Sequence, residues 1–171
     1  MKNIMLDIET LDNKANAAIV SIGAVYFDEN GVGEEFYCNI DFNSVMLSGG
    51  TVGAETLQWW LQQGEYARSS LLTNQKRIQD ALEAFTSFCD PEAKIWGNGA
   101  SFDNVILAST YKRLHRIVPW RFFNDRCYRT IKNLFNDVEF ERIGIHHNAL
   151  DDAKSQAEHL IKIIKKHGIA L

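Results

Sequence analysis

The chain has 171 residues, 46% of them hydrophobic and 23% charged, with a net charge of −4. That length suits one domain, taken as residues 1–171, with a sizeable core, and the composition is that of a globular chain rather than a disordered or collagenous one. No run approaches the ~20 apolar residues of a membrane span. Asp7 and Glu9 break the first apolar run, so it is not read as a signal peptide and a cytoplasmic protein with no membrane partner is expected. Cys38, Cys89 and Cys127 are odd in number and lack C-x-x-C spacing, which points to free thiols rather than a disulfide framework or zinc site.

Asn3–Thr10 reads as a buried strand ending in two carboxylates, Asp7 and Glu9. Period-two alternation places Asp7 and Glu9 on one face. Side by side they repel and are costly to desolvate. They are either solvated on an edge or offset by a cation. Ala17–Phe27 is a second strand, Asp28-Glu29-Asn30-Gly31 a turn and Glu34–Ile40 a third strand, so residues 1–40 read as an antiparallel meander. Residues 42–53 contain two adjacent glycines and read as a loop. Glu55–Gln63 is a short helix holding Trp59 and Trp60, either of which can fill the core, stack on a base or serve an interface.

Residues 69–72 form a linker, and Gln75–Cys89 is an amphipathic helix stopped by Asp90-Pro91. Lys94–Gly97 is a strand that runs into Asn98, where two flanking glycines imply a sharp turn. Ser101 is a candidate N-cap for a helix over 102–114. Asp103 then lies in a first helical turn, either stabilising the dipole or delivering a third carboxylate to the strand-end edge. A strand is expected over Val118–Phe123 and a helix over Cys127–Phe135. Residues 136–145 are polar and irregular. Leu150–Lys166 is a long amphipathic helix with Asp151 and Asp152 in its first turn, His146 and His147 just upstream and Gly168 as its stop.

Between Lys112 and Lys132 seven basic residues face Asp125 alone, a local charge of +6 that leaves −10 for the remainder. Trp120, Phe122, Phe123 and Tyr128 interleave with them. Cations for phosphates and rings for bases suit single-stranded nucleic acid, and a solvated helix face beside core aromatics gives the same pattern.

Three stretches together carry more than each alone. Asp7-Ile8-Glu9-Thr10, Asn98-Gly99-Ala100-Ser101-Phe102-Asp103 and His147-Asn148-Ala149-Leu150-Asp151-Asp152-Ala153 resemble, in order, the three motifs of the DEDDh family. These are the DnaQ-like 3′–5′ exonucleases of the ribonuclease H-like superfamily. Thr56–Leu61 and Asn124–Thr130 further resemble its small phage- and prophage-type exonucleases, a group with bacterial relatives acting on RNA.

The resemblance implies an α/β, ribonuclease H-like fold: a mixed five-stranded sheet with helices on both faces. It implies two divalent cations, Mg²⁺ or Mn²⁺, with Asp7 bridging them, Glu9 and Asp152 completing the nucleophile-side site, and Asp103 holding the second. Oxygen ligands suit such hard ions. His147 would be the general base. The His-x-x-x-x-Asp spacing also fits His146 with Asp151, but the family's Ala-Leu-x-Asp-Ala context aligns only on His147 and Asp152. Implied substrate contacts are Thr10, Leu11 as a wedge against the last base, Trp60, Asn98, Arg126 and Arg129. The expected partner is the 3′ end of single-stranded DNA or RNA, shortened to nucleoside 5′-monophosphates, and a homodimer fits the group. A binding module without catalysis would lack some of these ligands, and an endonuclease on the same scaffold would lack the His-x-x-x-x-Asp ending.

Overall fold

In the computed structural model, which describes residues 2–170, strands β1 (Asn3–Thr10), β2 (Ile19–Asp28) and β3 (Gly31–Asn39) form an antiparallel meander. β4 (Lys94–Gly97) pairs parallel to β1, and β5 (Asp125–Cys127) parallel to β4, giving the order β3-β2-β1-β4-β5. The helices are α1 (Phe42–Leu47), α2 (Ala54–Leu61), α3 (Glu65–Ser70), α4 (Ile78–Phe88), α5 (Asp103–Arg113), α6 (Tyr128–Leu134) and α7 (Ala149–His167). Among the described residues, no helix is long and apolar enough to cross a membrane.

Strand alternation divides the core. Ile4, Leu6 and Ile8 of β1 pack on the side of Phe85 from α4 and Ile106, Leu107 and Tyr111 from α5. Met5 faces the other way, with Val25, Phe27 and Trp96, against Ala153, Ala157, Leu160 and Ile164 of α7. The odd-numbered face that carries Met5 therefore carries Asp7 and Glu9 towards α7. Gly23 sits opposite Asp7 in the β1–β2 register. A methyl group there would lie 2.1–2.4 Å from backbone atoms of Ala149 and Leu150, so the absence of a side chain lets the start of α7 come down onto the sheet.

Four local expectations are corrected. Residues 42–53 are not all loop, because Asp41 caps α1 by accepting from the Ser44 N–H at 2.7 Å. The linker at 69–72 is largely taken up by α3 and its turn. The strand expected over Val118–Phe123 forms later, as β5. Pro119 lacks an N–H for a ladder, and Phe122–Asn124 coil into a 3₁₀ turn. Ser101 does not cap α5. The residue preceding that helix is Phe102, and the Asp103 carboxylate faces the sheet instead. Cys38, Cys89 and Cys127 are all free, as expected.

Candidate active site

At the carboxyl end of β1 lies an open cleft of about 420 Å³. Its lining includes Asp7, Glu9, Thr10, Trp59, Asn98, Asp103, Arg129, Arg142, His146, His147, Asp152 and Gln156. Oxygens of Asp7, Glu9 and Asp152 all lie within 4.8 Å of one another. Three carboxylates from a strand and a helix 140 residues downstream thus meet at one point, because α7 starts directly over β2. Asp152, not Asp151, turns inward. Asp151 is spent on the approach to the helix, accepting from the Ile145 N–H at 2.7 Å.

Asp103 closes the opposite wall from the start of α5. Its Oδ1 accepts from the Ile8 N–H at 3.2 Å and its Oδ2 from the Asn98 N–H at 2.8 Å. It is 2% exposed. Gly97 permits this approach, since a Cβ there would stand 2.6 Å from Asn104 Oδ1 and 3.1 Å from Asp103. The glycine before Asn98 thus serves close packing.

The electrostatics are those of an under-compensated cluster. Burial pushes the Asp7 carboxyl well above its ordinary value, and Asp103 and Asp152 push it further, against a 2.8 Å hydrogen bond donated by Gln156 Nε2. Glu9 is raised in the same way, by burial and then by Asp7, Asp152 and Asp103. Asp103 is raised to about 6 by burial, with its two backbone donors pulling the other way. Arg142, from the irregular segment before α7, pairs with Asp152 Oδ1 and lies 5.5 Å from the centre of the Phe140 ring. The Oε1 atom of Gln156 is buried without a partner. Hard oxygen donors crowded in one place, with raised proton affinities and an orphaned acceptor among them, fit divalent cations.

His147 has a left-handed backbone (φ 64°), and its N–H donates to Asp152 Oδ2 at 2.9 Å. Its ring meets the Trp59 ring edge to face at 4.7 Å and stacks on His146 at 3.6 Å. Partial burial, then His146, lowers its pKa, so the imidazole is neutral at pH 7. Asn148 caps α7 by accepting from the Leu150 and Asp151 N–H groups at 3.1 and 3.2 Å.

The expected substrate contacts divide. Thr10, Asn98 and Arg129 line the cleft, and Arg129 Nε donates to Asn98 Oδ1 at 3.4 Å. Leu11 does not line it. It is 7% exposed and belongs to the core on the α4–α5 side. Trp60 is likewise internal, with Nε1 donating to the Thr10 carbonyl at 2.8 Å, and the cleft is lined by Trp59 instead. Two adjacent helical residues cannot share a face. Arg126 points away, donating to the Phe123 and Asp125 carbonyls at 2.9 Å. Lys132, a candidate for phosphate contact from the basic segment, lines the cleft too, and Arg142, Gln156, Phe102 and Phe140 reach it without having been singled out there from the sequence. For Gln156 a signal existed: it lies one helical turn after Asp152 on the same face.

Comparison with known proteins matches residues 2–164 to the family described as the 3′-5′ exoribonuclease Rv2179c-like domain. An exodeoxyribonuclease of Enterobacteria phage T4 is 23% identical over 159 residues, covering 76% of this chain and 70% of the phage protein. Among solved structures, the fold is similar to the nuclease domain of 3′hExo, a DEDDh family member bound to rAMP, with a TM-score of 0.64, 10% identity and coverage of 95% of this chain and 91% of that one. It is similar to S. pombe Pop2p in its Mg²⁺- and Mn²⁺-bound form, with a TM-score of 0.69, 14% identity and coverage of 98% and 84%. It is also similar to exonuclease X in complex with 5′ overhanging duplex DNA, with a TM-score of 0.63, 15% identity and coverage of 98% and 93%. At these identities the structural likenesses show the fold.

Proposed function

The chain belongs to the Rv2179c-like 3′–5′ exoribonuclease domain family and is a 3′–5′ exonuclease, and from that premise we propose that it removes nucleoside 5′-monophosphates from single-stranded 3′ ends with two divalent cations and His147 as general base. The observation that carries this reading is the convergence of Asp7, Glu9 and Asp152 in one cleft. Asp7, Glu9 and Asp152 would hold one cation, Asp7 and Asp103 the other. When bound, the pair supplies Lewis-acid stabilisation of charge on the phosphoryl and leaving oxygens of an in-line displacement. Mg²⁺ and Mn²⁺ suit the oxygen donors, and Pop2p has been seen with both.

The protein's own groups perform the rest. His147, neutral at pH 7 and held by Trp59 and the backbone bond to Asp152, accepts the proton of the attacking water. Gln156 orients the Asp7 carboxylate. Arg129 and Lys132 face the phosphates, and the exposed face of Trp59 stacks on a base near the 3′ end. Thr10 and Asn98 border the terminal sugar. The polymer is RNA by the family's description, whereas the phage relative is an exodeoxyribonuclease. The whole chain acts as one exonuclease domain. A homodimer belongs to the same reading, and sedimentation of the full chain tests it.

The deciding experiment incubates 5′-labelled single-stranded RNA and DNA with the protein and Mg²⁺ or Mn²⁺. A stepwise ladder shortening from the 3′ end is expected. Internal cuts would favour an endonuclease, and no turnover by folded protein with either ion would overturn the catalytic reading.

A further inference from the structure

His146, exposed beside His147, has no part in the reaction just described. It is nevertheless held in an unusual position. Side chains of consecutive residues ordinarily diverge, yet the rings of His146 and His147 stack at 3.6 Å with only 22° between their planes. The left-handed backbone at His147 accompanies this arrangement. Such a conformation is uncommon for a residue with a side chain and concentrates at functional sites. One ring nitrogen from each histidine and a carboxylate oxygen of Asp152 lie within 4.8 Å of one another. A tetrahedral zinc site with bonds of ~2.0–2.1 Å separates its ligand atoms by about 3.4 Å and needs the imidazole lone pairs to converge, so closing this cluster requires the exposed His146 ring to swing out of the stack.

We propose that His146, His147 and Asp152 form a binding site for a borderline transition-metal dication, Zn²⁺ in particular, and that its occupancy inhibits the exonuclease. The donor set makes the distinction. Asp7, Glu9 and Asp103 offer only oxygens, which suit Mg²⁺ and Mn²⁺, whereas two imidazoles favour Zn²⁺ and discriminate against Mg²⁺. Asp152 is common to both sets. A zinc ion drawn to the histidines therefore takes one carboxylate from the hydrolytic cluster and occupies the imidazole lone pair of His147. The site has room for exchange. His146 is open to solvent, and the Arg142 guanidinium that pairs with Asp152 comes from an irregular segment with its side chain 37% exposed. The inhibitory half rests on the catalytic reading of His147 and Asp152; the binding half does not.

The test uses the full chain and His146→Ala, with each protein's zinc sensitivity read against its own zinc-free Mg²⁺-supported rate, since His146 lines the cleft and stacks on His147. Co²⁺ titration followed by visible absorption reports a nitrogen-containing, low-coordinate site in the wild type, and Zn²⁺ abolishes the signal. His146→Ala should weaken Zn²⁺ binding, measured against a chromophoric chelator, by at least about tenfold, since even outer-shell changes cost a metal site 10–100-fold. Relative to its own zinc-free rate, the Mg²⁺-supported activity of this variant should need at least about tenfold more Zn²⁺ for half-inhibition than that of the wild type. Equal zinc affinity and equal zinc inhibition in both proteins would overturn the proposal and place any zinc effect at the carboxylates. Were the wild type inactive with Mg²⁺ and Mn²⁺, the catalytic reading would fall, and the Co²⁺ spectra would still decide whether the site exists.

Discussion

Replacing Asp103 with Asn should change the pH dependence of folding in a direction that can be worked out in advance. Its folded-state pKa of about 6 lies above the ordinary value of 3.8, chiefly through burial. The native state therefore binds this proton more tightly than the unfolded chain. The associated stability is fully present below the unfolded value, and it is lost as pH rises towards and through about 6. A difference of about two pH units corresponds to about 3 kcal/mol. The Asn98 and Ile8 N–H bonds to Asp103 are compromised in Asp103→Asn, which lowers stability at every pH and leaves the slope untouched. Asp7 and Glu9, both raised in part by the Asp103 charge, act in the same direction. Chemical denaturation in EDTA at pH 4 to 8 measures the effect as the stability of Asp103→Asn minus that of the wild type. This difference should rise by about 3 kcal/mol across the range. A flat difference would refute the claim that Asp103 is ionised against its environment in the metal-free protein.

Further outcomes follow from the same geometry. Asp7→Ala should abolish nucleotide release while raising the melting temperature of the EDTA-treated protein at pH 8, because it removes a buried carboxyl whose ionisation is opposed by burial, Asp103 and Asp152; a cleavage assay and a thermal scan check both. His147→Gln should lower kcat by ~10²–10⁴ with KM for a short oligonucleotide little changed, as expected for the loss of a general base. Gln156→Leu should raise the Mn²⁺ concentration needed for half-saturation, read by electron paramagnetic resonance, by about tenfold or more, since it removes a hydrogen bond to a charged group worth ~1.5–3 kcal/mol. Unchanged Mn²⁺ affinity would mean that Gln156 does not orient Asp7.

The large outlines of the fold were legible because they rest on local signals. Alternation marked β1 to β3, the turn at Asp28–Gly31 marked their hairpin, and three- and four-residue spacing marked α4 and α7. Elements fixed by a few side-chain bonds or by one proline were not legible in the same way. α1 depends on the Asp41 cap, and β5 is three residues long, placed by its pairing with β4. In the cleft, Asp7, Glu9, Asp103 and Asp152 were legible because carboxylates at strand and helix ends stand out in a sequence, and the structure brings all four to one lining. Which of two adjacent side chains turns inward is set by helix phase against a distant surface. Trp59 and Trp60 therefore could not be told apart, and Leu11 and Arg126 were expected in a cleft they do not reach. Arg142 acts through a tertiary contact from an irregular segment that carries no periodic signal.

Gly23 bears on how relatives of this chain should be judged. It belongs to no motif and does not line the cleft, yet the room beside it is what brings the Asp152 helix to the Asp7 strand. A descendant that kept all five motif residues but acquired a methyl group at that position would pass every inspection of its signature while holding its carboxylates apart. The convergence of the acids is thus a property of a spacing between two backbones as much as of an inventory of side chains, and a homologue that lost it need not advertise the loss by a missing carboxylate.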